Sequence, residues 1–110
     1  MNIDFRVEGN IAIAGVSGEI DSKTAPEAQT KLLGIAADHS RLVIDMTNVT
    51  FLSSAGLRTL LLLYRQTAAR NGKIVLVGLS EEIKDTMSMT GFLKFFAVAG
   101  TPEEGLKALS

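Results

Sequence analysis

From Leu57 onward, apolar residues recur at intervals of three and four. Leu57, Leu60, Leu61, Tyr64 and Ala68 trace the stripe of an amphipathic helix. Leu62 and Leu63 lie off that stripe, so they either pack beneath neighbouring helices or extend a docking face. Asn71-Gly72 supplies residues that tolerate the left-handed conformation where such a helix stops. Upstream, residues 41 to 46 form a short run of branched apolar side chains, which suits a strand covered on both faces. The strand hands over to the helix at Ser53-Ser54.

The same alternation runs through the chain. Residues 2 to 7 and 10 to 17 read as strands joined at Gly9-Asn10. A helix is predicted from Thr24 to about Asp38, a strand at Lys73 to Gly78, and a helix from Ser80 to about Met89. A short strand near Phe95 to Ala99 and a helix from Pro102 complete the pattern. Strands separated by helices imply right-handed parallel crossovers. The predicted fold is therefore α/β: a mixed, mostly parallel sheet of about five strands with an antiparallel first strand and about four helices. Sites in such sheets gather at the carboxyl ends of strands, which places Asp21 and Ser54 on one edge.

Composition bounds the function classes. The chain has 110 residues, 46% of them hydrophobic, enough for one core, and no linker or repeat divides it; residues 1–110 read as one domain. A formal charge of -1 argues against nucleic acid as the main partner. Without cysteine there is no disulfide framework or thiolate chemistry. The amino terminus lacks an apolar segment of signal length, and no run approaches the roughly 20 apolar residues of a membrane span. These features lead to the expectation of a soluble cytoplasmic protein with no membrane partner. No cluster of acidic or histidine ligands has metal-binding spacing, and no cofactor is implied. His39, in a polar turn, reads as a solvated loop residue.

The helix starts differ from one another. Thr24-Ala-Pro-Glu27 and Thr101-Pro-Glu-Glu104 have the form of capping boxes, and Ser80 is followed by Glu81 and Glu82. The helix after Ser54 opens Ala55-Gly56-Leu57-Arg58, with no carboxylate for its unpaired amides and dipole end. Gly56 leaves the backbone approachable, as phosphate-binding turns require. Two readings of the serines follow. One of them is an ordinary N-cap, or one accepts a phosphoryl group where the helix terminus favours negative charge. Asp21 likewise either bonds loop amides or lines a partner surface.

Asp45-Met46-Thr47-Asn48-Val49-Thr50-Phe51-Leu52-Ser53-Ser54-Ala55-Gly56-Leu57 resembles the signature of the STAS domain of bacterial anti-sigma factor antagonists. Gly18-Glu19-Ile20-Asp21 with Thr24 looks like the family's loop after the second strand, and Thr90-Gly91-Phe92-Leu93-Lys94 like its segment before the last strand. The resemblance implies partner switching. The dephosphorylated protein binds an anti-sigma factor that is also a serine kinase, phosphorylation weakens that binding, and a serine phosphatase resets it. Position by position, the phosphoacceptor falls on Ser54, with Ser53 as second choice because it replaces the acidic residue common there. The partner surface falls on Asp21, Ser22, Lys23, Ser53, Ser54, Ala55, Gly56 and Arg58. STAS-like domains also serve as scaffolds, as small-ligand modules and as tails of anion transporters; the scaffold and ligand-module readings stay open.

An enzyme is not expected. Leu52 stands where a nucleophile elbow needs glycine, and the single histidine precedes the serines. Phosphate-binding and kinase loops of the Gly-rich kind are absent, so ATP must come with another protein.

Overall fold

A computed structural model of the chain describes all 110 residues. β1 (Asn2–Glu8) and β2 (Ile11–Ile20) pair antiparallel across a two-residue turn. Gly9 there has φ 62°, the left-handed value that the first central residue of a type II′ turn requires. The chain continues through α1 (Ala25–Asp38), β3 (Arg41–Leu52), α2 (Ser54–Ala69), β4 (Lys73–Val77) and α3 (Glu81–Met89). A 3₁₀ turn (Leu93–Phe95), β5 (Ala97–Ala99) and α4 (Pro102–Leu109) close the order. The sheet order is β1-β2-β3-β4-β5; the first pair is antiparallel and the rest are parallel, the strand directions that the alternating pattern predicts. No helix is long and apolar enough to cross a membrane.

Alternation within each strand sorts side chains onto two faces. Ala12, Ala14 and Val16 of β2, Leu42, Ile44 and Met46 of β3, and Ile74 and Leu76 of β4 face one way. They meet Leu32 of α1, Leu57, Leu60 and Leu63 of α2, and Ile83 and Met87 of α3 in the main core. Ile11, Ile13, Val43, Val75 and Val77 face the other way, where α4 supplies Leu109. The helices thus divide three to one between the faces.

Three elements depart from the sequence pattern. β2 and β3 run to Ile20 and Leu52 rather than stopping at 17 and 46. Register shifts fall between Gly15 and Ser17 and between Gly18 and Glu19, and these irregularities break the two-residue period that would reveal continuation. Asp45 holds the local bend, its carboxylate accepting from the Thr47 amide (3.0 Å) and hydroxyl (2.6 Å). The buried face of α2 is also turned from the predicted stripe. It consists of Gly56, Leu57, Thr59, Leu60, Leu63 and Thr67, while Leu61 and Tyr64 are half-buried and Ala68 is exposed. Tyr64 spends its ring on Phe95 and Phe96 instead, at centroid distances of 5.8 and 5.6 Å. Leu63 is wholly buried, as packing beneath the neighbouring elements requires, and Leu62 is half-buried. Asn71 takes the left-handed φ of 59° that stops the helix.

Candidate functional site

β3 pairs with β4 only as far as Asp45; beyond that, it runs on beside β2 alone to Leu52. This two-stranded arm carries the candidate residues to the carboxyl edge of the sheet. Ile20 lies opposite Leu52, and the Ser53 amide donates to the Ile20 carbonyl at 2.9 Å. The loop beginning at Asp21 and the start of α2 are thereby tied side by side.

The two serines have different duties. Ser53 is the N-cap of α2, in extended conformation, and its Oγ accepts from the Gly56 amide at 3.2 Å. Ser54 is the first helical residue and is exposed. The helix start carries no acidic residue in its first turn, as read from the sequence, yet it is not uncapped, because the Ser53 hydroxyl supplies the oxygen. Arg58 is exposed one turn after Ser54, at the i, i+4 spacing that sets two side chains on one face.

Gly56 is not the open approach expected of it. It is buried, and a Cβ there would stand 2.5 Å from Leu52 Cδ1 and 2.9 Å from Ile20 Cγ2. It lets the first turn of α2 press onto the ends of β2 and β3, so it shapes the site from beneath and presents no surface to a partner. Ala55 is half-buried.

The Asp21 loop is ordered by its own carboxylate. Oδ1 accepts from the Lys23 amide (2.9 Å) and the Thr24 amide (3.0 Å), while the Asp21 carbonyl accepts from Ala25 (2.8 Å). The Thr24–Glu27 capping box does not form. Thr24 has helical backbone angles and caps nothing; its hydroxyl accepts from the Asp21 amide at 2.9 Å and donates to the Glu19 carbonyl at 2.8 Å. Asp21 does the capping three residues earlier. At the other starts the expected hydroxyls do cap: Ser80 takes the Ile83 amide, and Thr101 takes that of Glu104. Ser22 and Lys23 project from the loop, exposed.

Amide donors to the charged carboxylate, first Thr24 and then Lys23, hold Asp21 below the ordinary value of 3.8. A depressed carboxylate pKa stabilises the fold above the unfolded value, and that stabilisation is lost as pH falls through the folded value. Asp21→Asn keeps an acceptor but removes the charge. Its melting temperature should lie below wild type at pH 6 and converge with it below the folded pKa, as thermal denaturation at the two pH values would reveal; a constant gap would rule out this role.

One residue of the edge escaped the sequence reading. Phe51 precedes Ser53 by two positions and is 49% exposed, while its neighbour Leu52 is buried in the helix-covered core. The signal was available: on a strand, adjacent Phe and Leu must face opposite ways. The irregular pairing with β2 past Asp45 interrupts the alternation and conceals it. His39 also differs from expectation. It caps the carboxyl end of α1, half-buried, with Nδ1 2.9 Å from the Ile35 carbonyl and its ring edge-on to Phe5 at 6.0 Å. That position, just before β3 begins, is at the opposite edge of the sheet from Ser54, so the two cannot form a Ser-His pair.

Residues 2–105 match the model of the STAS domain. A Bordetella bronchiseptica protein named "Putative anti-sigma factor antagonist BtrV" is 30% identical over 104 residues, 94% of this chain and 89% of that one. The anti-sigma-B factor antagonist of Bacillus subtilis is 25% identical, covering 97% of this chain and 98% of its own. Among solved structures, an anti-sigma factor antagonist from Mycobacterium paratuberculosis superposes with a TM-score of 0.89 at 29% identity, over 98% of this chain and 92% of that one. Match, topology and motif positions agree: this chain belongs to the STAS domain family.

Proposed function

We propose that this protein is an anti-sigma factor antagonist whose binding to an anti-sigma factor is switched by phosphorylation of Ser54. The exposed hydroxyl of Ser54 at the first position of α2 carries the reading. Ser53 has its oxygen committed to the Gly56 amide, whereas the Ser54 side chain makes no hydrogen bond within the protein and can be modified without dismantling the cap. A phosphoryl group there places about two negative charges at the positive end of a helix. Arg58, one turn on, can meet them from the same helix face.

The relatives supply the partner class: all three of the proteins described above bear names of anti-sigma factor antagonists. In the unmodified state, Ser54, Arg58 and the Ser22-Lys23 loop are exposed at the carboxyl ends of β2 and β3, and Phe51 adds an exposed aromatic ring from the other face of the sheet as a candidate apolar anchor. Phosphoryl transfer moves the γ-phosphoryl of ATP onto Ser54 Oγ and releases ADP, the hydroxyl proton passing to a base of the kinase. The kinase is the anti-sigma factor itself, and a serine phosphatase hydrolyses the phosphoester to restore the hydroxyl.

Incubating the protein with ATP and candidate serine kinases from its own genome, with the phosphate located by mass spectrometry, tests the assignment. Label is expected on Ser54, abolished in Ser54→Ala and retained in Ser53→Ala, which loses a cap and about 1 kcal/mol of stability. Label that vanishes with Ser53→Ala and survives Ser54→Ala would move the acceptor by one residue. No label with any kinase that binds the protein would leave a scaffold.

A further inference from the structure

The two edges of the sheet are unlike. β5 is three residues long, and so offers little ladder to a foreign strand. β1 is seven residues long, Asn-Ile-Asp-Phe-Arg-Val-Glu, and pairs only with β2. Of the usual guards of an open edge it carries only charge, in Asp4, Arg6 and Glu8: there is no proline or lysine in it, and its ladder with β2 has no bulge. Ile3, Phe5 and Val7 lie opposite Val16, Ala14 and Ala12, so they share the face covered by α1. Phe5 and Val7 are nevertheless 52% and 48% exposed. Beside them a cleft of about 370 Å³ opens between β1 and α1, lined in part by Phe5, Lys31, Gly34 and His39. Nothing stands within 4 Å of where a Gly34 side chain would begin. Asp4, Arg6 and Glu8 point to the opposite face, opposite Gly15, Ile13 and Ile11.

We propose that β1 is a self-pairing edge: two copies of this chain join their β1 strands antiparallel about a two-fold axis at Phe5, making one continuous ten-stranded sheet. The occupant follows from the charge order along the strand. With Phe5 opposite Phe5 of the second copy, Ile3 meets Val7 and Asn2 meets Glu8. Asp4 then meets Arg6 of the second copy, and by symmetry Arg6 meets its Asp4. Apolar rows join on the α1 face, and two opposite-charge pairs form on the other. A shift of two residues either way ruins this match, since it sets Asp4 against Asp4 or Arg6 against Arg6, the latter with Asp4 against Glu8. Centring the pair on Val7 would also set Arg6 against Glu8, but there the strands overlap only from Arg6 to Glu8, so the register centred on Phe5 is the one that matches charges along the whole strand, and an isologous two-fold contact is the symmetry it generates. Arg6 does have an intrachain partner, Glu8 at 3.3 Å, but both side chains are more than half exposed, so that pair is weak and easily exchanged. Phe5 and Val7 lose their exposure against their counterparts, which removes the apolar row that the edge otherwise shows to water.

Sedimentation equilibrium of the full chain over a wide concentration range tests this. The wild type should be a concentration-dependent dimer. Asp4→Arg alone and Arg6→Asp alone each bring like charges face to face twice, and should weaken self-association about tenfold or more. A one-to-one mixture of those two variants restores both opposite-charge pairs and should associate, as should the double variant Asp4→Arg/Arg6→Asp. Circular dichroism verifies that the variants fold, which the exposure of both positions favours. A wild type that stays monomeric at every concentration overturns the proposal and leaves the edge free for a strand of another protein. A dimer indifferent to the single reversals, or a mixture that does not associate, overturns the register.

Discussion

Ser54→Asp is expected to lower affinity for the anti-sigma factor by roughly a hundredfold, and full phosphorylation of Ser54 by more, while Ser54→Ala binds as tightly as the unmodified protein. The size follows from what an interface does to a charge. Burying an unpaired or like charge across a contact costs several kcal/mol, and each 1.4 kcal/mol is about tenfold in Kd. The phosphoserine carries nearly twice the charge of aspartate and three acceptor oxygens that must be desolvated, so aspartate is the milder mimic. The fold itself should feel little of this. Ser54 is exposed, the cap is made by Ser53, and negative charge in the first turn favours the helix. Titration calorimetry against the purified anti-sigma factor, with melting curves of each variant alongside, separates the two effects. Equal affinities for Ser54→Ala and Ser54→Asp would sink the switch.

Most of the architecture was legible because each element announces itself locally. Branched runs and three-four stripes sit where the strands and helices are found, the hydroxyls of Ser53, Ser80 and Thr101 sit where caps are found, and the parallel sense of the later strands follows from the crossovers. The candidate site was less so, for reasons that all lie in tertiary packing. Thr24 and Glu27 have the spacing of a capping box, yet Asp21 reaches the loop amides first and draws the Thr24 hydroxyl to the Glu19 carbonyl. Bulges opposite Gly15 to Glu19 hid the outer half of β3, and with it the exposed ring of Phe51. The buried side of α2 is chosen by the sheet end and the flanking helices, so Leu63 and Thr67 displace Ala68. His39 reads as a polar turn in one dimension; its cap is made with the Ile35 and Ala36 carbonyls of its own helix, and only the fold sets its ring against Phe5.

Gly56 is where sequence and structure assign opposite reasons to the same residue, and its substitution distinguishes them. An approachable backbone would tolerate a small side chain at a loss of partner affinity alone. The packing says otherwise. A Cβ at position 56 meets Leu52 Cδ1 at 2.5 Å, Ile20 Cγ2 at 2.9 Å and the Ile20 carbonyl oxygen at 3.1 Å. Leu52 and Ile20 are themselves buried, 7% and 2% exposed, so neither has free space to yield. The carbonyl is held by the Ser53 amide at 2.9 Å and cannot retreat without opening the joint between β2 and α2. Overpacking of this kind costs about 1–3 kcal/mol, against which alanine recovers at most about 1 kcal/mol of helix propensity over glycine. Gly56→Ala should therefore be mildly destabilised, and Gly56→Val, with two further methyl groups in the same gap, by about 3 kcal/mol or more. In a domain whose total stability is about 5–15 kcal/mol, the valine variant should melt roughly 10 °C or more below wild type. Its Ser53 cap is displaced with the first turn, so the rate of Ser54 phosphorylation should fall as well. An unchanged melting temperature with weakened binding would return Gly56 to the partner surface and leave the close contact with Ile20 without consequence.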